Sequence, residues 1–313
     1  MLAGVAADAV LGDPRRGHPV ALFGRSAKAI EHRVYADSRA RGVGYTACCL
    51  ALATAPALVG SRLSRHNPAA QLGLSAACTW AVTAARSLTD EAELIRRALL
   101  AGDVDNARGR LPNLCGRDPD DLDAAGIARA VVESVAENAS DAIVAPLLWG
   151  ALAGPAGLTG YRAVNTLDAM VGHRSVRYEQ FGWASARLDD VANYVPARLT
   201  AVLAAALAPL VTGRPATAWR TARQYGPRHP SPNAGWCEAA FAGALGIRLG
   251  GALRYAGRAE VRPELGVGQP AGPDDIGRAI RLCRAVTAAA VCVAASVALI
   301  RPAMPPEGTT AEP

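Results

Sequence analysis

Five stretches of the chain lack Asp, Glu, Lys and Arg for fifteen residues or more. They are Gly42–Ser61, His66–Ala85 and Ala142–Tyr161, each of twenty residues, Leu199–Gly213 of fifteen, and Ala285–Ile300 of sixteen. A helix that crosses a bilayer needs about twenty mostly apolar residues, and the range begins near seventeen. The first two stretches are therefore predicted to form a transmembrane hairpin. The last two are marginal spans or buried helices, and we expect four or five spans in total.

The third stretch carries residues that break helices. It contains Pro146, Gly150, Gly154, Pro155, Gly157 and Gly160. Proline removes a backbone donor, and glycine weakens a helix. Such backbone is tolerated at membrane depth where protein buries it or where it lines a cavity. This stretch is therefore predicted to be a broken or re-entrant helix.

Basic residues are distributed unequally around the first predicted hairpin. Arg62 and Arg65 lie in its turn, whereas eight basic residues flank it: Arg25, Lys28, Arg33, Arg39, Arg41, Arg86, Arg96 and Arg97. Arginine and lysine near the ends of spans favour the cytoplasmic side. Both flanks are therefore predicted to be cytoplasmic, together with a polar helical insertion over about residues 86–141.

The same patterns predict one all-α domain over residues 1–301. No convincing alternation with the period of a strand is present, so we expect a polytopic helical membrane protein with cytoplasmic helical segments. The proline-rich residues 302–313 are predicted to form a disordered tail.

Composition changes this picture little. The chain is 51% hydrophobic, and its 19% of charged residues lies below the usual quarter or so. An alanine-rich soluble helical bundle stays open as an alternative. The net charge is +6, but no basic run is interleaved with aromatic residues. A lipid bilayer is therefore the expected partner, and nucleic acid is not.

Three carboxylates precede the broken stretch at intervals of four residues. On a helix, Glu133, Glu137 and Asp141 would share one face and repel one another. Between Gly126 and Arg162 the only basic residue is Arg129. The stripe therefore indicates a bound positive group, and an exposed helix face is the alternative.

A second polar cluster follows the broken stretch. It combines acids, amides, arginines and one histidine: Arg162, Asn165, Asp168, His173, Arg174, Arg177, Arg187, Asp189, Asp190 and Asn193. Mg²⁺ is held by carboxylates together with phosphate oxygens. The cluster therefore indicates a site for a phosphate and its divalent metal. Salt-bridged helices at the membrane interface are the alternative.

Two further polar segments are turn-like. The first, "LGDPRRGHPV", contains Asp13 and His18, and the second, "HPSPNAGW", contains Asn233, which is a candidate helix cap. A small-residue helix with Gly243, Gly246 and Gly250 is predicted to follow Asn233. The chain has no P-loop, no dinucleotide fingerprint, no H-E-x-x-H and no nucleophile elbow.

Four long segments resemble one known family, and they occur in that family's order. They are "LGDPRRGHPV", "GRDPDDLDAAGIARAVVESVAENASDAIVAPLLWG", "YRAVNTLDAMVGHRSVRYEQFGWASARLDDVANYVPARLTA" and "HPSPNAGWCEAAFAGALGIRLGG". The sequence resembles the CobD/CbiB family of cobalamin biosynthesis, the adenosylcobinamide-phosphate synthases. The resemblance implies a multi-pass enzyme of the inner membrane with a cytoplasmic active site.

The resemblance also implies a reaction. Such an enzyme joins the free propionate carboxylate of adenosylcobyric acid to the amine of (R)-1-amino-2-propanol or of its O-phosphate. ATP and Mg²⁺ are implied as co-substrate and metal. Because a carboxylate is a poor electrophile, activation as an acyl phosphate is the expected route. Other membrane enzymes of late cobalamin assembly are expected as partners.

Roles for the polar residues follow as hypotheses. Glu133, Glu137 and Asp141 are expected to bind metal or orient the ammonium, and His18 or His173 to take the amine proton. Asp168, Asp189 and Asp190 are the expected metal ligands. Substrate and phosphate contacts are expected from Arg162, Asn165, Arg174, Arg177, Arg187, Asn193 and Asn233.

Two other classes of function stay open. The AmpE-like membrane proteins, relatives linked to sensing, offer a non-catalytic sensor or scaffold as the main alternative. A transporter is the other, but transporters commonly show inverted repeats, and the sequence shows none.

Overall fold

The computed structural model describes residues 1–13, 17–116, 118–120, 122–173, 175–255 and 258–300. Arg174 and the predicted tail, residues 302–313, lie outside this part of the chain. Thirteen α-helices occur in the described residues: α1 Leu2–Leu11, α2 Pro19–Val34, α3 Arg39–Leu63, α4 Pro68–Val82, α5 Ala85–Leu100, α6 Val104–Arg110, α7 Ala124–Ala139, α8 Ala145–Leu167, α9 Trp183–Ala192, α10 Tyr194–Ala206, α11 Pro215–Tyr225, α12 Ala234–Leu245 and α13 Pro273–Ile300.

A small sheet interrupts the helices near the C-terminal end. Its strands are β1 Ile247–Tyr255, β2 Arg258–Leu265 and β3 Gln269–Pro270. Strand β1 lies in the middle, antiparallel to β2 and parallel to β3. The fold remains helical, as predicted. The extension of the small-residue helix to Gly250 was wrong, because α12 ends at Leu245 with Gly246 as its C-cap, and Gly250 lies in β1 with a φ of 80°.

Three helical segments of the described residues are long and apolar enough to cross a membrane: Arg39–Leu63, Ala124–Gly172 and Pro273–Ile300. Only 28% of the apolar window of the first and 22% of the last is buried within the protein. Apolar helices left this exposed need lipid around them. The chain is therefore a helical membrane protein. The expected number of four or five spans stays a prediction; α4 and α10, with 15 and 13 residues, are shorter than these three segments.

The segment Ala124–Gly172 is not one straight helix. Gly154 has φ 63° and ψ −150°, which no helix accommodates, so the chain reverses there. Asn165 Nδ2 lies 3.2 Å from Asp141 Oδ2. A straight helix would separate these residues by about 36 Å at its rise of 1.5 Å per residue. The prediction of a broken or re-entrant helix is confirmed in that the helix is broken and the chain reverses. We call residues 145–153 the first arm and residues 155–167 the second arm of this re-entrant hairpin.

Small residues allow the two arms to pack closely. A Cβ on Gly157 would lie 2.1 Å from the carbonyl oxygen of Trp149 on the first arm. A Cβ on Gly150 would lie 2.8 Å from the side chain of Leu158 on the second arm. Only glycine permits such an approach. Gly154 thus breaks the helix, whereas Gly150 and Gly157 allow its two arms to pack together.

The largest core lies beside the hairpin. Helix α7 is capped by Asp123, whose Oδ1 accepts from Gly126 N–H at 2.7 Å, and it is buried along most of its length. It packs against α5, α12 and α13. Much of the expected polar insertion, residues 86–141, therefore belongs to the main core. Its cytoplasmic location stays a prediction.

Candidate active site

A polar cleft of about 940 Å³ opens where the two ends of the hairpin meet helix α9 and the loop before α12. Carboxylates outnumber basic groups among its charged and amide side chains: Glu137, Asp141, Asp168, Glu179, Asp189, Asp190, Arg39, Arg187, His173, Asn193 and Asn233. Most of the predicted site residues thus share one cleft. Its excess of negative charge favours a bound cation.

A hydrogen-bonded network joins the hairpin to helix α9. Asn165 Nδ2 donates to Asp141 Oδ2 at 3.2 Å and to Asp189 Oδ1 at 3.5 Å. Asn193 Nδ2 donates to Asp189 Oδ2 at 3.0 Å, and the Tyr161 hydroxyl donates to Asn193 Oδ1 at 2.8 Å. The two amides thus hold two like-charged carboxylates close together. Oxygen-rich sites of this kind bind hard cations.

Widened helical turns place two of the acids. Asp141 lies in the π-helical segment Ser140–Val144, and Asp168 begins the π-helical segment Asp168–Gly172. Such turns insert one residue into a helix and redirect its side chains, and they are frequent at functional sites. A Cβ on Gly172 would lie 1.9 Å from Asp168 Oδ1. The glycine therefore leaves the space that this carboxylate occupies.

The carboxyl group of Asp189 is held in an unfavourable environment for its charge. Its pKa is raised from 3.8 to about 6, mainly by burial and to a smaller extent by the nearby charges of Asp190 and Glu137. Hydrogen bonds from Asn193 and Asn165 act in the opposite direction. A cation bound beside Asp189 would relieve this cost.

The loop before α12 forms another wall of the cleft. Asn233 Nδ2 donates to the Asp190 carbonyl oxygen at 2.8 Å, and Arg198 donates to Asn233 Oδ1 at 2.7 Å. The prediction that the side chain of Asn233 caps α12 was therefore wrong. Ser231 Oγ accepts from Ala234 N–H at 3.1 Å and caps the helix instead. Asn233 ties this wall to α9.

Comparison with known proteins identifies the family. A family model described as CobD/Cbib protein matches residues 1–283. The chain is 49% identical over 295 residues to the cobalamin biosynthesis protein CobD of Mycobacterium tuberculosis, covering 94% of this chain and 93% of the relative. It is 40% identical over 308 residues to that of Rhodobacter capsulatus, covering 96% and 97%. The chain belongs to the CobD/CbiB family. No solved structure matches it.

Three residues expected at the site lie elsewhere in this CobD/CbiB protein. Glu133 is buried, and its Oε1 accepts from Gly250 N–H at 2.6 Å, so it holds strand β1. His18 caps α2 and lies 3.8 Å from Asp13. Arg162 does not line the cleft; it lines a separate apolar groove. These three residues therefore lie outside the cleft, and the roles predicted for them stay predictions.

Arg177 is also not in the cleft. Its guanidinium donates to Glu31 at 3.0 Å and lies 3.9 Å from the centre of the Tyr35 ring. The Tyr178 hydroxyl donates to the same oxygen of Glu31 at 2.8 Å. This cluster on α2 anchors residues 175–183, which form the outer wall of the cleft. Arg177 therefore has a structural role here, and the phosphate contact expected of it stays a prediction.

Replacement of Glu31 is expected to loosen that wall. Glu31 is buried and accepts hydrogen bonds from two donors, so Glu31→Ala should lower the free energy of unfolding by about 2 kcal/mol. Glu31→Gln keeps an acceptor and should lose about 1 kcal/mol. Thermal unfolding in detergent measures both, with His32→Ala, which changes the exposed next residue, as control. Equal stability of Glu31→Ala and the control would contradict this role.

Sequence analysis did not identify three residues that support the site: Glu31, Tyr161 and Ser231. The sequence held a signal for two of them, because Tyr161 precedes Asn165 by one helical turn and Ser231 lies just before a helix. Glu31 gave none, since its partners Arg177 and Tyr178 are 146 and 147 residues away.

The cleft suits a magnesium ion in part. Within the described residues, no group of three or more His, Cys, Asp or Glu side chains is spaced to hold a metal ion. Mg²⁺ commonly takes only one or two carboxylates and completes its shell with phosphate and water. The oxygens of Asp141 and Asp189, joined through Asn165, fit that requirement.

Proposed function

We propose that this chain acts in cobalamin biosynthesis as an amide-forming synthase. It would join adenosylcobyric acid to (R)-1-amino-2-propanol or its O-phosphate, giving adenosylcobinamide or its phosphate. The observation that supports this most is the cleft in which Asp141, Asn165, Asp189 and Asn193 form one network. At about 940 Å³ the cleft is near the upper end of ligand pockets, as a corrinoid requires.

The reaction is proposed to take two steps. A carboxylate oxygen of the corrinoid attacks the γ-phosphorus of ATP, which forms an acyl phosphate and releases ADP. The amine nitrogen then attacks the acyl carbon, phosphate leaves with the C–O bond electrons, and the nitrogen loses a proton to a base. Holding both substrates in one cleft makes the second step effectively unimolecular.

The residues of the cleft divide the work. Asp141 and Asp189 would hold Mg²⁺, which neutralises phosphate charge when bound, and Asp168 and Asp190 would add negative charge around it. Glu137 would orient the ammonium group. Arg187, which lies 3.3 Å from Asp190, would contact phosphate, and the exposed His173 would take the amine proton. Asn193 and Asn233 would position substrate.

The product of the reaction tests the proposal. Membranes carrying the chain are incubated with adenosylcobyric acid, ATP, Mg²⁺ and either amine, and the corrinoids are measured by mass spectrometry. We expect a product heavier by the amine minus one water, which needs ATP. Failure to form it with either amine, while a CobD relative forms it under the same conditions, would contradict the proposed function.

Isotope transfer tests the activation step separately. The free propionate carboxylate of the corrinoid is labelled with ¹⁸O before the reaction. An acyl phosphate passes one labelled oxygen to inorganic phosphate when the amine displaces it. Amide formation without label in the phosphate would exclude this route and leave the synthase function standing.

A further inference from the structure

A second cavity lies apart from the cleft, and no residue lines both. This apolar groove, of about 250 Å³, is formed by α2, α3, α4 and the second arm of the hairpin. Its lining includes Val20 and Phe23 from α2, Leu52 from α3, Val82 from α4 and Ala163 from the hairpin. Ligand pockets for drug-sized molecules start near 300 Å³, so the groove is too small for a corrinoid.

Arg162 is the one charged residue that lines this groove within the described part of the chain. Its Nε is buried and has no hydrogen-bond partner. Asp13 and Asp141 are its charged neighbours, yet neither comes within ion-pair distance among the described residues. A buried guanidinium whose neighbouring carboxylates lie beyond ion-pair distance is costly beside apolar helices.

The other polar side chains of the groove are already engaged. Thr159 Oγ1 donates to the carbonyl oxygen of Pro155, and Ser26 Oγ donates to that of Leu22. Arg162 therefore decides which polar group the groove accepts. Guanidinium donors match phosphate oxygens in a paired geometry, so the ligand is an anion that carries an apolar chain.

The groove lies beside a candidate membrane span, where lipids with an anionic headgroup and an apolar chain are available. Leu52 belongs to the candidate span α3 and is 47% exposed, and Leu22 on α2 is exposed to the same extent. Exposed leucines at this position meet lipid. We propose that the groove binds one anionic phospholipid, with its phosphate on Arg162 and part of an acyl chain along α2 and α3.

Lipid bound there would act on the hairpin. Arg162 precedes Asn165 by three residues on the same arm, and Asn165 holds Asp141 and Asp189. An anion on Arg162 would fix the turn that carries Asn165. The groove thus connects the bilayer to the acidic cleft without contributing to the cleft itself.

Native mass spectrometry of the full chain in mild detergent tests this proposal. The protein is stripped of lipid and then offered phosphatidylglycerol, phosphatidylcholine or inorganic phosphate. We expect one phosphatidylglycerol per chain to be retained, and about tenfold weaker retention in Arg162→Gln. Inorganic phosphate and phosphatidylcholine should bind at least about tenfold more weakly than phosphatidylglycerol.

Two further variants separate charge from shape. Ala53→Leu fills the groove from α3 without changing charge and should also weaken retention of phosphatidylglycerol. Arg41→Gln removes an exposed arginine near the start of the same helix and should leave retention unchanged. Equal retention by wild type, Arg162→Gln and Ala53→Leu would overturn the proposal, as would equal binding of phosphatidylcholine.

Discussion

The variant Asp189→Asn is expected to lose amide-forming activity by about 100-fold or more in kcat while gaining stability in magnesium-free buffer. The loss follows because the lost charge is the one that would face Mg²⁺. The gain follows because burial raises the pKa of Asp189 to about 6, so the folded protein carries an unfavourable charge at pH 7. Removing it should add on the order of 2 kcal/mol.

The stability difference between wild type and Asp189→Asn should depend on pH in a defined direction. Below pH 3.8, where unfolded and folded Asp189 are both protonated, wild type and variant should unfold alike. As the pH rises towards about 6, the unfolded chain releases the proton first, so the wild type loses stability relative to Asp189→Asn. The difference should then stay constant up to pH 8.

Thermal unfolding of the detergent-solubilised protein between pH 3.5 and 8 measures this difference. Asp37→Asn, which changes an exposed acid, serves as control and should alter neither activity nor the unfolding temperature by much. An Asp189→Asn protein that keeps normal turnover, or that is less stable than wild type at pH 7, would contradict the role given to this carboxylate.

The variant Gly157→Ala is expected to destabilise the re-entrant hairpin severely. Its new methyl group would lie 2.1 Å from the carbonyl oxygen of Trp149, which is backbone and cannot rotate away. Overpacking usually costs about 1–3 kcal/mol, and a backbone clash should cost about 3 kcal/mol or more. Because Asp141 lies just before the first arm and Asn165 near the end of the second, activity should fall together with stability.

Gly44→Ala is the matched control for that variant. Gly44 lies in α3, where an added Cβ meets nothing within 4 Å, so alanine should stabilise the helix by up to about 1 kcal/mol. Accumulation in membranes and thermal unfolding report both variants. If Gly157→Ala matched Gly44→Ala in stability, the close packing of the two arms would be refuted.

The hairpin was predictable because its signal is local. Gly154 and Pro155 fall at the middle of an apolar stretch with too many helix breakers to cross straight. Reversal at residue 154 then brings Asp141 towards Asn165, since these residues lie at similar distances from the break. Spacing alone had shown two polar clusters, and the break explains why they meet.

Only part of the predicted acidic stripe lies at the cleft, and the reason is geometric. Spacing of four put Glu133, Glu137 and Asp141 on one face, but eight residues of helix extend over about 12 Å. One end of the stripe therefore reaches the cleft while Glu133 meets Gly250 in the sheet. Periodicity gives the face of a helix and not what packs along it.

The sheet and the outer wall depend on contacts that no local pattern reveals. Gly250, Gly251 and Pro263 interrupt the alternation that would have marked β1 and β2 as strands. Arg177 looked like a phosphate ligand beside His173, and its partner Glu31 lies 146 residues away. An arginine can form a structural ion pair or bind substrate, and the sequence alone does not distinguish these two roles.

The central claim is that the acidic cleft at the open end of the hairpin holds the nucleotide and metal. An electron cryomicroscopy map of the full chain with Mg²⁺, a non-hydrolysable ATP analogue and adenosylcobyric acid tests it most directly. We expect the phosphates and the metal between Asp141, Asp189 and the loop that carries Asn233, with the corrinoid propionate beside them. Phosphate density at another place on the protein, with this cleft empty, would contradict the account.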